Sequence, residues 1–225
     1  QWGNIVAGVD LIRRRVGEHA HAITHPLVTK SDGTKFGKTA GGAVWLDPSK
    51  TSPYQFRQFW INVDDRMVAT YLRMFSLRDL ADVSETIARH DEAPERRIGQ
   101  RALADEITAL VHGDEAAAAA TAAADVLFGG DPTAASAAVL EIVAQEVPHS
   151  LVTRADLEDP IGLLVRVGLA SSNGDARRTL TQKGYRANGT QLDESGNLTG
   201  IGLLHGRYLL LRKGKTSYHL VEVSD

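Results

Sequence analysis

The chain has 225 residues, 43% hydrophobic and 24% charged, with no cysteine and a net charge of −3. This composition suits a globular protein. It excludes disulfides, iron–sulfur clusters and thiolate zinc sites, and no apolar run reaches the about 18–20 residues that cross a bilayer, so neither a membrane partner nor a signal peptide is expected and a reducing cytoplasm is the expected location. Residues 1–77 carry +4, residues 78–159 carry −11 and residues 160–225 carry +4. Two basic ends thus flank an acidic middle, and a basic end can meet a polyanion.

Gln1-Trp2-Gly3-Asn4 runs at once into a helix-like pattern of Ile5, Val6, Val9, Leu11 and Ile12. Helices rarely begin so near a free end without a cap, so the chain reads as a fragment cut inside a domain. The pattern predicts a helix over 4–17, with Asn4 as N-cap, Arg13-Arg14-Arg15 near its C-terminus and Gly17 ending it. Leu27-Val28-Thr29 is a short predicted strand, Lys30 to Gly33 a turn, and Gly33 to Gly42 a glycine- and lysine-rich loop. Ser52-Pro53 opens a helix through Trp60. A helix over 64–75 should bury Met67, Tyr71, Met74 and Phe75. Further helices are predicted at about 79–90, 95–112, 114–127 and 133–146, with Asp114 and Asp131 or Thr133 as caps. The alanine run from Ala116 to Ala120 is expected in a close-packed helix. Pro148 and Pro160 bracket an expected domain boundary. Beyond it, helices at 161–168 and 173–183 precede strands at 185–187, 207–212 and 218–223, an order too small for an enzyme core and suited to a binding module.

Lys35-Phe36-Gly37-Lys38-Thr39 is the most informative stretch. Glycine lets a backbone approach a ligand closely, and lysine ammoniums are strong point charges for phosphate oxygens. A P-loop needs a glycine five positions before its final glycine. Here that position is Asp32, and Gly33 stands one residue too close, so the P-loop reading fails. Loop composition alone fits a solvated turn and a phosphate site equally.

Taken together, this loop, His25-Pro26-Leu27-Val28 before it and Ser52 to Trp60 after it resemble bacterial tyrosyl-tRNA synthetases. Their mobile signature loop often reads Lys-Phe-Gly-Lys-Thr or -Ser. The opening Gln1-Trp2-Gly3-Asn4-Ile5 resembles the second half of that family's Gly-Ser-Asp-Gln-Trp-Gly-Asn segment. The resemblance implies an α/β remnant of a class I Rossmann-like catalytic domain at 1–50, an all-α connective and anticodon-binding domain at 51–150, and a small α+β RNA-binding domain at 160–225. It implies a tyrosine–tRNA ligase that joins tyrosine to ATP and passes it to tRNA(Tyr), with Mg2+ accompanying the nucleotide. Lys35, Lys38 and Thr39 would be catalytic, and Phe36, Gly37, Lys38 and Gln1 would lie against ATP. The two lysines would stabilise charge building on the departing pyrophosphate. The remaining catalytic motifs, the tyrosine pocket and a homodimer interface would precede Gln1, so residues 1–225 alone are expected to be inactive.

The C-terminal unit resembles the S-four-type RNA-binding domain through Leu163-Leu164, Gly168 to Ser172, Asp175 to Arg178 and Tyr185-Arg186-Ala187-Asn188-Gly189. Arg177, Arg178, Lys183 and Arg186 would neutralise RNA phosphates; solvated surface charges are the alternative. Arg207, Arg212, Lys213 and Lys215 are weaker candidates. By position, Asp64 or Asp65 matches an aspartate with which the family reads the first anticodon base, and a helix N-cap explains Asp64 equally well. His19, His21 and His25 have no cysteine to join them in a zinc site, so surface histidines and no structural metal are expected. Tyr54, Phe56, Phe59 and Trp60 are expected in a core rather than stacked on bases. The rival reading is a free-standing, non-catalytic RNA-binding protein.

Overall fold

A computed structural model describes residues 1–25, 27–36 and 43–224. The chain divides into two compact units, Gln1–Ala43 and Val44–Asp225. In the first, helix α1 spans Trp2–Val16 and ends at Gly17, whose left-handed conformation (φ 77°) lets its N–H reach the Arg13 carbonyl. The helix starts two residues before the expected Asn4 cap, because the Gln1 carbonyl already accepts from the Ile5 N–H at 3.0 Å. The expected strand at 27–29 is reduced to an isolated antiparallel bridge between Thr29 and Lys35.

The second unit begins with six helices: α2 (Pro53–Ile61), α3 (Asp65–Phe75), α4 (Leu80–Glu92), α5 (Ile98–His112), α6 (Asp114–Leu127) and α7 (Ala137–Glu146). Ser52 caps α2 by accepting from the Gln55 N–H, with Pro53 at a position whose N–H would have no partner anyway. Helix α3 buries Val68, Tyr71 and Leu72. Its apolar face is rotated from the expected one, and Met74 is exposed, because 68, 71, 72 and 75 form the stripe that meets the neighbouring helices. Phe56, Trp60, Tyr71 and Phe75 interlock edge to face, Trp60 and Phe75 with centroids 5.3 Å apart. The cap of α7 is Ser136, which accepts from the Val139 N–H, whereas Asp131 caps only the short 3-10 turn Pro132–Ala134.

The alanine run lies in α6, where Ala117, Ala120, Ala123 and Ala124 are buried. Small side chains there allow close approach to α5, α2 and α7.

After α7 come β1 (His149–Thr153), α8 (Pro160–Arg166), α9 (Asn173–Thr181), β2 (Tyr185–Ala187), β3 (Thr190–Gln191), β4 (Tyr208–Lys213) and β5 (Ser217–Ser224). The sheet order is β1-β5-β4-β2-β3. Strand β1 pairs parallel with β5, His149 opposite Leu220 and Thr153 opposite Ser224, and the other pairings are antiparallel. Residues 149–153 carry no strand expectation, yet this segment, bracketed by the two prolines, supplies an edge of the sheet. Thr153 and Asp156 then form a reciprocal capping box. The Arg166 guanidinium and the Thr153 N–H hold the Asp156 carboxylate down to about 2. A depressed carboxylate contributes stability above its ordinary range and loses it only as pH falls toward that value.

Side chains alternate across a strand, and here both faces are covered. Leu209 and Leu211 of β4, with Val221 and Val223 of β5, join Leu163, Leu164, Ala176 and Leu180 of α8 and α9. Tyr208 and Leu210, with Tyr218 and Leu220, join Ala120, Ala123, Leu140 and Val143 of α6 and α7. Burial on two sides explains why Tyr208-Leu209-Leu210-Leu211 is a continuous apolar run.

Leu220 of β5 is fully buried in the cluster that the sheet shares with α6 and α7. Leu220→Ala should cost about 2–5 kcal/mol, read as a lower urea midpoint with an unchanged slope.

Candidate nucleotide loop and nucleic-acid surface

The segment leading into the lysine loop is a tight turn. The Lys30 N–H donates to the Thr34 carbonyl at 2.8 Å, the Gly33 N–H to the Lys30 carbonyl at 3.0 Å, and the Phe36 N–H to the Val28 carbonyl at 3.0 Å. Gly33 has φ 79°, a conformation that side chains disfavour. The Asp32 carboxylate accepts from the Thr34 hydroxyl at 2.6 Å and its N–H at 2.9 Å, and these bonds hold its pKa below the usual carboxylate range. Lys35 therefore leaves a hydrogen-bonded frame with its side chain exposed, and Phe36 is half-buried beside it. Gly37, Lys38 and Thr39, the rest of the expected site, lie outside the described residues. Gln1 is exposed at the start of α1, and its side chain makes no capping bond.

In the helical part, Asp64 is the N-cap of α3 and accepts from the Arg66 N–H at 3.0 Å. Arg66 also grips both carboxylate oxygens, Nε to Oδ1 at 2.9 Å and Nη2 to Oδ2 at 2.7 Å. Asp65 is arranged differently. Its Oδ1 accepts from Nε2 of the fully buried Gln100, and Nε2 of His90 lies 3.9 Å from the same oxygen. The Asp65 side chain is 59% exposed. Neither Gln100 nor His90 had a signal in the sequence, since both lie far along the chain in other helices.

On the C-terminal module, Arg177 and Arg178 are exposed on α9, whose opposite face buries Ala176 and Leu180. Lys183 is exposed in the following turn at φ 56°. Arg186, half-buried on β2, donates from Nη1 to the Gly189 carbonyl at 2.8 Å. Among the described residues, none of these four basic groups has an ion pair. Three of the four weaker candidates are more engaged, whereas Lys215 is exposed. Lys213 is 3.1 Å from Asp175, Arg207 is 2.6 Å from Glu222, and Arg212 donates to the Tyr218 hydroxyl at 3.1 Å.

Three of the seventeen acidic side chains of residues 78–159 are engaged mainly by residues N-terminal to that segment. Asp105 meets buried Arg57 at 2.8 Å. Glu106 accepts from Ser76, the Leu77 N–H and Arg78. Glu146 accepts from Ser52 and Gln55.

Residues 1–129 match the family described as tRNA synthetases class I (W and Y). Residues 140–221 match the tyrosine–tRNA ligase SYY-like C-terminal domain. The chain is 46% identical over 227 residues to a tyrosine–tRNA ligase of Anaeromyxobacter dehalogenans, covering 99% of this chain and 54% of that protein. It is 49% identical over 226 residues to one from Streptomyces griseus, covering 99% and 53%. The chain thus spans about half the length of the curated relatives it matches. A C-terminally truncated mitochondrial tyrosyl-tRNA synthetase of Coccidioides posadasii aligns at 31% identity with a TM-score of 0.46, over 53% of this chain and 36% of that one.

Asp64→Ala should cost about 0.5–2 kcal/mol through loss of the α3 cap, whereas Asp64→Asn, which keeps an acceptor, should cost less. Thermal unfolding of the two variants checks the order.

Proposed function

The chain belongs to the class I tRNA synthetases of the W and Y type, and from that premise we propose that the full-length protein is a tyrosine–tRNA ligase. The supporting observation is the identity of 45–49% to proteins of that name along 99–100% of this chain, together with the SYY-like C-terminal match. The same observation disfavours a free-standing RNA-binding protein, since residues 1–129 match the synthetase family itself.

In this reading the tyrosine carboxylate attacks the α-phosphate of ATP. A bond forms between carboxylate oxygen and phosphorus, and pyrophosphate leaves. Negative charge then builds on the leaving group. Lys35, presented by its hydrogen-bonded turn, and Lys38 would meet those oxygens and act more strongly as charge develops than in the ground state. Gly37 would let the backbone pass close to the nucleotide, Thr39 would donate a hydrogen bond, and Phe36 and Gln1 would flank ATP. Magnesium would enter with the nucleotide phosphates. A ribose hydroxyl at the 3′ end of tRNA then attacks the tyrosyl carbonyl carbon, forming an ester as the anhydride bond breaks and AMP leaves.

We assign residues 1–50 to the end of the catalytic domain, 51–150 to the connective and anticodon-binding part, and 160–225 to the RNA-binding module, in a cytoplasmic homodimer. Arg177, Arg178, Lys183 and Arg186 would neutralise tRNA phosphates, with backbone shape dominating recognition. Of the two aspartates, Asp65 is the better reader of an anticodon guanine. A carboxylate must offer its oxygens to the base N–H groups, and Arg66 already occupies both oxygens of Asp64.

In the complete enzyme, Lys38→Ala should slow tyrosyl-adenylate formation far more than it weakens tyrosine binding. Pre-steady-state pyrophosphate release measures this, and an unchanged rate removes Lys38 from the mechanism. Deleting residues 160–225 would strip the cover from α6 and α7, so point changes probe RNA binding more cleanly. Arg177→Ala with Arg178→Ala should lower the slope of log affinity for tRNA against log salt by about 1.4–1.8, with adenylate formation unchanged.

A further inference from the structure

Between the end of α6 and the sheet lies a crevice of about 50 Å³ lined by Val126, Gly129, Pro132, Arg186, Arg212 and Tyr218, among others. We propose that it seats a single phosphate group, held by Arg186 and Arg212, with the backbone of a bound RNA as its source. The RNA source rests on the tRNA-binding reading above.

The two arginines are direct partners across β2 and β4. Like charges placed opposite each other on neighbouring strands are destabilising, and among the described residues no carboxylate pairs with either. An anion between them would remove that repulsion. Arg212 is held in place by its bond to the Tyr218 hydroxyl at 3.1 Å, with its guanidinium 5.7 Å from the Tyr218 ring centre. Its Nε is buried and has no hydrogen-bond partner. A planar guanidinium fork is the side chain best matched to phosphate oxygens.

The opposite wall is shaped to leave room. Gly129 has φ 97°, and a Cβ there would come within 3.0 Å of the Arg212 Nη1. Glycine thus lets the chain turn beside the guanidinium without a side chain filling the crevice. A crevice of this size has room for the oxygens of one phosphate. The apolar surfaces of Val126, Pro132 and Leu210 in the lining reduce competition from water and strengthen the charge interaction.

The test is salt-dependent binding of tRNA(Tyr) by the full-length protein, followed by fluorescence anisotropy. Arg186→Gln with Arg212→Gln should weaken binding and lower the log–log slope by about 0.7–0.9, the value for one phosphate. An unchanged slope with only a lowered melting temperature would assign Arg212 to stabilising the C-terminal end of α6 and overturn the proposal. A loss of twice that size would mean two separate phosphate contacts and would also overturn it. Should Arg212→Gln fail to fold, Arg186→Gln alone should still weaken tRNA binding; unaltered affinity overturns the seat. The Arg177→Ala, Arg178→Ala variant separates the two ideas: if it weakens tRNA binding and the crevice variants do not, the RNA reading stands and the seat fails. If the unaltered protein does not bind tRNA, the RNA reading fails, and inorganic phosphate becomes the probe. Broadening of its ³¹P signal that disappears in Arg212→Gln would establish the seat with free phosphate as source, and no broadening would overturn it.

Discussion

Burial of β4 on both faces is the constraint on which the second unit depends. Leu209 and Leu211 close the core under α8 and α9, while Tyr208 and Leu210 close the core under α6 and α7. One strand therefore belongs to two hydrophobic clusters. At about 25 cal/mol per Å² of apolar surface removed from water, neither the helices nor the sheet can shed the other without exposing large side chains. The basic groups of α9, the turn after it and β2 are thereby fixed relative to the carboxylates at the start of α3.

Much of this was legible in the sequence, and the failures have physical causes. The aromatic cluster around Trp60, the alanine helix and the final hairpin follow from local spacing and propensity. The strand at 149–153 did not, because parallel pairing with β5 is a long-range property and His-Ser-Leu-Val-Thr carries little strand signal by itself. The apolar stripe of α3 was misplaced by one position because Met67 and Met74 are as apolar as the residues that are actually buried. Packing, not hydrophobicity, chose between the two stripes. For the same reason the even hydrophobicity of β4 hid the fact that its two faces serve different cores.

The candidate site shows the same division. The lysine loop and the arginines of α9 stand out as residue types in a pattern. The roles of Asp64 and Asp65 could be separated only in three dimensions, where Arg66 claims one and Gln100 with His90 holds the other. The net −11 of the middle segment, awkward for the proposed RNA contact, is less of an obstacle once some of its carboxylates are followed to their partners. Asp105, Glu106 and Glu146 tie helices together, so part of the negative charge is already neutralised or directed inward.

The parallel union of β1 with β5 joins positions about seventy residues apart. On a ribosome, the first of these strands would emerge long before its neighbour, and α6 and α7 would wait with a bare greasy flank until the last hairpin arrived. Chain closure over such a span is slow. The nascent polypeptide is thus exposed to sticking and to chaperone capture until β5 has cleared the ribosome, and a premature stop anywhere in β5 would leave that flank uncovered.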